Sequence, residues 1–390
     1  MQRLSVFINE RANHFRRIIP LSVTFFIYLF GWGIVSPIFN IRINEITGNL
    51  LLSGIIFSIV RLISIVLNPI VGRLCDRFNP KKILQYSLLS YTVIFLAYAY
   101  SHSFWQLFLT AILHSFAYAG LWVSGWTIVR KKTKGPHSQE ELSFWATVQN
   151  LASLIAPVVG GILISINSWI ITYYIASALS LLSAIYVKKI NSIQNNKPEK
   201  SLKKEWRKFF KNPSLRKLAI LTVLLYFIGN GFGAYLTLKL KSDGFTIGEI
   251  GIILSLTTIP YVAFPIIVGI VADKYGRKIP TLIGLLLSAG GIFLLTTTTR
   301  FTPALFYIFI AYTGFAFVSL SANAELNDLL KLKEAGSFSG IYESVKNTGA
   351  VMGPLLTGFI AQATNINYAF LILSAISACS IVILKGFKDY

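Results

Sequence analysis

Twelve separate stretches of this chain stay apolar for about 20 residues, the length an α-helix needs to cross the hydrocarbon of a bilayer. They cover residues 18–39, 50–71, 83–100, 104–129, 142–164, 169–187, 218–238, 250–271, 279–297, 303–324, 337–361 and 368–384. In lipid a backbone must satisfy its own hydrogen bonds, so each stretch is expected to be a helix, and no alternating pattern of barrel strands competes. Composition agrees: 54% of residues are hydrophobic and 13% charged, where a soluble domain carries roughly 25% charged. The sequence therefore reads as an all-α integral membrane protein with twelve transmembrane helices.

The 36 Lys and Arg against 15 Asp and Glu give a formal net charge of +21. In a soluble chain that excess would suggest a nucleic-acid partner, and its location argues otherwise. With the N-terminus placed in the cytoplasm, the cytoplasmic segments hold 30 basic residues and the outside connections 4, leaving Arg61 and Lys346 inside spans. The positive-inside rule then puts both termini in the cytoplasm of a multi-pass cell-membrane protein and removes nucleic acid from the expected partners. The first apolar run is too long for a signal peptide and is read as retained. Cys75 and Cys379 form neither a disulfide framework nor a metal cluster, so no metal site is expected.

One long connection, residues 188–217, divides the spans six and six, giving a first half at 1–187 and a second at 218–390. The halves repeat each other. Gly72, Asp76, Arg77 and Lys81 follow the second span, and Gly269, Asp273, Lys274, Gly276, Arg277 and Lys278 follow the eighth, at an offset of 197. Pro157 with Gly160 and Gly161 in the fifth span answers Pro354 with Gly358 in the eleventh at that same offset, while Gly31-Trp32-Gly33 meets Gly229-Asn230-Gly231 at 198. Three landmarks in one register mark parallel repeats.

These residues resemble the major facilitator superfamily over essentially the whole chain. The family's loop signature, Gly-x-x-x-Asp-Arg/Lys-x-Gly-Arg-Lys, stands complete at residues 269–278, whereas the first copy has Asn79 and Pro80 in place of Gly276 and Arg277. Asn is a residue type that takes left-handed turns, and Pro80 removes a cation. The resemblance implies spans 1, 4, 7 and 10 around a central cavity, spans 2, 5, 8 and 11 at the seam, and alternating access by rocking of the halves. In the loops, Gly72 and Gly269 allow close helix approach, and Asp76 and Asp273 could cap a neighbouring helix and pair with cations at a gate. Gly340, Gly349 and Gly353, running into Pro354 and Gly358, resemble the family's antiporter signature, displaced from span five to span eleven. Small residues there serve tight packing equally well, so no antiport is inferred.

Charge at bilayer depth is costly and carries information. Arg61, His114 and Lys346 lie roughly 13 to 17 Å into their spans at 1.5 Å per residue, with Glu343 one turn from Lys346. Two readings stand: a cationic pocket for an anionic group, or an Arg61–Glu343 pair across the seam that leaves Lys346 without an acid. His114 is either a direct participant or a packed neutral ring. Trp32, Tyr118, Trp122, Trp126, Tyr312 and Asn230 fall on cavity helices, where rings can stack on a flat ligand or fill the core. The connection carries Leu202, Trp206, Phe209 and Phe210 at helical spacing among Lys and Arg, an amphipathic helix suited to anionic inner-leaflet lipids.

The expected function is secondary active transport of a small solute, an organic anion or a neutral ring-bearing molecule, with hydrophobic-drug efflux as the alternative. No Asp lies in any span and no catalytic pair is visible, so an enzyme or sensor is disfavoured. No cofactor is expected, a proton is the candidate coupling ion, and the expected state is a monomer.

Overall fold

The computed structural model describes residues 16–133, 138–166, 168–191, 202–329 and 335–386, and the regular elements among them are all helical. In the first half α1 (Ile19–Thr47), α2 (Leu50–Arg77), α3 (Pro80–Ala99), α4 (Phe104–Lys132), α5 (Ser138–Ile166) and α6 (Ile170–Tyr186) follow one another in chain order. A short helix, α7 (Leu202–Lys211), precedes α8 (Pro213–Ser242), α9 (Ile247–Leu256), α10 (Ile259–Ala263), α11 (Pro265–Tyr275), α12 (Lys278–Leu295), α13 (Phe301–Leu329), α14 (Ala335–Ala363) and α15 (Ile366–Cys379).

Local chemistry sets the boundaries. Asn79, Ser103, Asn212 and Asn365 each turn a side-chain oxygen onto a free N–H at a helix start, and Thr246 with Glu249 forms a full capping box. Pro80 and Pro213 occupy first helical positions, where a missing N–H costs nothing.

Nine helices among the described residues are long and apolar enough to cross a membrane, and ten if one bent pair is a single span. The helices α3 and α14 are long enough but carry more polar side chains, Glu343 and Lys346 among them. The bent pair corrects the expectation of one continuous helix over 250–271. There the chain breaks into α9, α10 and α11 with a 42° bend, because Pro260 and Pro265 lack the N–H that would continue the ladder. The twelfth span also changes character: after Cys379 it tightens into a 3₁₀ segment, Ser380–Gly386.

By packing, the chain forms two compact units. One takes in the described residues of Met1–Pro37 and Val66–Pro198; the other takes in Ile38–Ile65 and the described residues of Glu199–Tyr390. The first division falls at Pro37, inside α1, where the helix lacks one backbone hydrogen bond.

In the first unit α3 packs between α4 and α6, with Ser177 and Ser180 of α6 donating to the carbonyls of Thr92 and Leu88 at 2.8 Å each. A Cβ on Gly160 would collide with the Ile34 carbonyl, and one on Gly33 with the Ala156 side chain, so α5 and α1 approach to backbone contact.

In the second unit α8 and α14 make the most extensive helix pair, followed by α12 with α13. A Cβ on Gly349 or Gly353 would meet the backbone of Val223 or Phe227. The segment 38–65, the α1–α2 turn with its flanking helix ends, is bonded into this unit at four points. Asn40 Nδ2 donates to the Ala234 carbonyl at 3.0 Å, Tyr235 hydroxyl to the Leu50 carbonyl at 2.7 Å, Leu50 N–H to Gln362 Oε1 at 2.8 Å, and Ser58 Oγ to the Val351 carbonyl at 2.9 Å. The Tyr235 hydroxyl lies between Gly54 and Gly358, either of which would strike it if given a Cβ.

Candidate substrate site

The first unit brings its predicted aromatic residues together along one face, with Trp32, Tyr118 and Trp122 partly buried and Trp126 exposed. His114, Tyr118, Trp122 and Trp126 recur every four residues along α4 and so share one face. The His114 ring, 6% exposed, shares a 3.2 Å hydrogen bond between Nδ1 and the Tyr98 hydroxyl. Trp32, Tyr91, Tyr98 and Tyr118 surround it at ring-centroid distances of 5.2, 5.3, 5.9 and 6.4 Å. Further along the face, Trp122 meets Phe25 at 5.6 Å, while Trp126 packs on the buried Trp145 at 4.7 Å and carries the Arg130 guanidinium over its outer side. Edge and tilted contacts of this kind are the favoured geometry of aromatic pairs, and His114 lies buried among them with its hydrogen bond to Tyr98.

The second unit presents a cavity at the equivalent place. The offset of 198 that relates Trp32 to Asn230 also relates His114 to Tyr312. Where Trp32 closes on His114, the smaller Asn230 leaves about 190 Å³ open beside Tyr312. Tyr226, Gly229 and Asn230 of α8, Tyr261 of α10, and Tyr312, Phe315 and Ser319 of α13 line this space. Asn230 is held by an Nδ2 hydrogen bond to the Tyr226 carbonyl at 2.8 Å, and Tyr312 is braced edge-on against Phe315 at 5.5 Å. Cavities on the order of 150 Å³ hold a benzene-sized ring, and here the walls add phenol, amide and hydroxyl groups.

Lys346 stands behind this wall. Its ammonium lies 5.1 Å from the Tyr226 ring centroid and 5.8 Å from that of Tyr342, whose hydroxyl accepts from Thr222 at 3.0 Å. It also binds Glu343 Oε1 at 2.7 Å. Lys346, expected to lack an acid if Glu343 were taken by Arg61, thus has that carboxylate three residues away on its own helix. The pairing follows from the i, i+3 spacing, which puts both on one face. With Glu343 more than half exposed the pair is worth only about 0–1 kcal/mol, yet it neutralises the lysine locally. Arg61 is half-buried in the 38–65 segment of the same unit.

The sequence model of the Major Facilitator Superfamily matches residues 21–247 and 218–389. The chain belongs to the major facilitator superfamily. It is 25% identical over 90% of its length to an uncharacterised transporter of this type from Methanocaldococcus jannaschii, covering 92% of that protein. It is 22% identical to multidrug resistance protein 1 of Bacillus subtilis, over 94% of this chain and 95% of the other. The fold matches the crystal structure of the nucleoside transporter NupG with a TM-score of 0.82 at 16% identity, covering 95% of this chain and 99% of that one. The protein is a secondary transporter with a multi-pass membrane fold.

The superfamily's loop signature takes two forms here. Gly276 ends α11 with φ +77° and ψ 166°, a positive-φ conformation open essentially only to glycine. Asn79, a candidate for a left-handed turn, does not adopt one: its φ and ψ are −64° and 115°, and it caps α3 instead. The residue before a proline is pushed to extended backbone, so Pro80 decides the matter. Lys81 reaches the Lys188 carbonyl at 2.8 Å. A Cβ on Gly72 or Gly269 would meet nothing within 4 Å among the described residues. The side chains of Asp76 and Asp273, and those of residues 335–340 on α14, lie outside the described side chains.

Sequence reading missed Tyr226, Tyr261, Phe315 and Ser319. Tyr226 and Phe315 had a signal, standing four residues before Asn230 and three after Tyr312 on their helical faces. Tyr261 had none, standing in an apolar run that marked a span but no cavity-lining face.

Proposed function

We propose that the transported solute is a neutral, ring-bearing polar molecule, recognised in the second unit by the cavity of Tyr226, Asn230, Tyr261 and Tyr312. The observation that carries this reading is a wall of rings and uncharged polar groups, with the nearby cation Lys346 already paired to Glu343. Rings stack on the tyrosines, and a site built to hydrogen-bond a polar edge discriminates by leaving that bond unmade for the wrong solute. The structural likeness to a nucleoside transporter is compatible with such a solute. A second reading, efflux of hydrophobic drugs, is favoured by the similarity to a multidrug resistance protein and by the aromatic wall.

The rest of the cycle is part of the same proposal. Twelve spans, both termini in the cytoplasm and α7 at the anionic inner leaflet fit the distribution of Lys and Arg. Rocking of the halves requires the four bonds of the 38–65 segment to break once per cycle, with Asp76 and Asp273 acting at a gate. A proton is the coupling ion in this scheme, the protein acts as a monomer, and it needs no cofactor, metal or catalytic chemistry.

A thermal-shift screen of the purified protein against nucleosides, sugars, aromatic carboxylates and lipophilic cations tests the substrate class, since a ligand stabilises the state it binds. Nucleosides or comparable neutral ring solutes are expected to raise Tm. Stabilisation by aromatic carboxylates alone, lost in Lys346→Gln, would replace this reading with a cationic pocket.

A further inference from the structure

A larger cavity, of about 380 Å³, lies in the second unit beside the amphipathic helix. That helix is anchored by Phe209, which is fully buried against Leu215, Leu218, Tyr342 and Val345. Burying a Phe side chain is worth about 1.5–3 kcal/mol, so α7 is fixed to this unit and does not hang as a free linker. The anchoring turns Trp206 and Phe210 toward the cavity, stacked on each other at 5.9 Å with planes 23° apart. Both remain more than one-third exposed.

The opposite wall is aliphatic, formed by Ile220, Val223 and Leu224 of α8. One charged residue, Arg216, stands among the described lining residues, one helical turn from the start of α8, and it is exposed. A long basic side chain in that position lays its stem along apolar surface and carries its head to water. Its guanidinium offers the forked donors that suit a phosphate.

An apolar chamber with a cation at its rim, no acid among its described lining residues and an aromatic pair at the boundary is complementary to both ends of one molecule. We propose that this cavity is a discrete site for one anionic phospholipid of the inner leaflet, with the phosphate on Arg216 and one acyl chain between Ile220, Leu224 and the Trp206–Phe210 pair. The site rests on the cytoplasmic placement of α7 and goes beyond a diffuse attraction of basic residues to an anionic surface. Its floor is α8 and α14, the helices that carry Tyr226 and Lys346, so a bound lipid braces the wall of the solute cavity.

Native mass spectrometry of the full-length protein, titrated with dioleoylphosphatidylglycerol or dioleoylphosphatidylcholine, tests the site. One phosphatidylglycerol per chain is expected to be retained at least tenfold more tightly than phosphatidylcholine. Arg216→Gln should remove that preference while Arg216→Lys keeps part of it, and Ile220→Trp should weaken retention of both lipids with the cation still present. Solute-induced stabilisation should survive in Arg216→Gln, which keeps failure here distinct from failure of the transport reading. Equal retention of the two lipids by the native protein, or unchanged phosphatidylglycerol binding in Arg216→Gln, overturns the proposal. Displacement of the lipid by tetraphenylphosphonium also overturns it, by making the chamber an entry for hydrophobic cations. Labelling of residues 188–217 from outside intact cells would instead fault the placement on which the site depends.

Discussion

The same position carries contacting rings in one repeat and borders a cavity in the other. In the first unit Trp32 closes on His114, and the rings of Tyr91, Tyr98 and Tyr118 complete the packing. In the second, Asn230 and Tyr312 occupy the equivalent positions and border open space. A further asymmetry supports the division. The helix α2 runs unbroken from Leu50 to Arg77, whereas its counterpart is divided into α9, α10 and α11, with Tyr261 of α10 lining the cavity. Duplication supplied two scaffolds, and under the proposed function the second of them carries recognition.

The largest effect should come from the ring cluster of the first repeat. Trp32→Ala removes a ring that contacts both Phe95 and His114 and should cost about 3 kcal/mol. Thermal unfolding would show it, with solute affinity among surviving protein changed by less than threefold. A large loss of affinity without loss of stability would place recognition in the first unit and break the comparison.

Next comes the gate pair, where the complete signature is set against the altered one. Asp273→Asn should slow transport at least tenfold with affinity within twofold, since it acts on a conformational equilibrium. Asp76→Asn should be milder, because Pro80 has already replaced a cation in that loop. Uptake rates and equilibrium binding in proteoliposomes compare the two, and a parallel fall in binding would end the gate assignment.

Smaller effects sharpen the contrast. His114→Phe keeps a ring but gives up the bond to Tyr98 and should lower stability by about 1 kcal/mol, with affinity unchanged. Tyr235→Phe removes the bond to the Leu50 carbonyl, an interhelical contact worth about 0.6 kcal/mol in membrane proteins. Its signature should be a modest shift toward labelling of a cysteine placed near Leu50. No shift in that labelling would mean that the bond does not bias the cycle.

Much of the fold was legible because lipid leaves the chain few options. The long apolar runs, the caps at Asn79, Ser103 and Asn212, and the 197-residue repeat all rest on local rules. Breaks were less visible. Pro37, Pro69, Pro157 and Pro354 lie inside continuous helices, so proline alone could not announce that Pro260 and Pro265 would divide a span. The site was half legible. Asn230 and Tyr312 were marked as cavity residues and line one, but whether a ring fills a core or borders a space depends on the volume of its neighbours. The pairing of Lys346 was obscured by a competing partner for Glu343, although the i, i+3 geometry was the closer of the two.

Asn230→Trp tests the central claim most directly, because it gives the second repeat the side chain that closes the first. Solute affinity by isothermal titration, read beside Tm for the same protein, should fall at least a hundredfold, equivalent to about 2.8 kcal/mol, while Tm holds or rises as the ring fills the 190 Å³ space. Retained affinity in a folded Asn230→Trp protein would contradict the account, since the cavity it fills could not then be the recognition site.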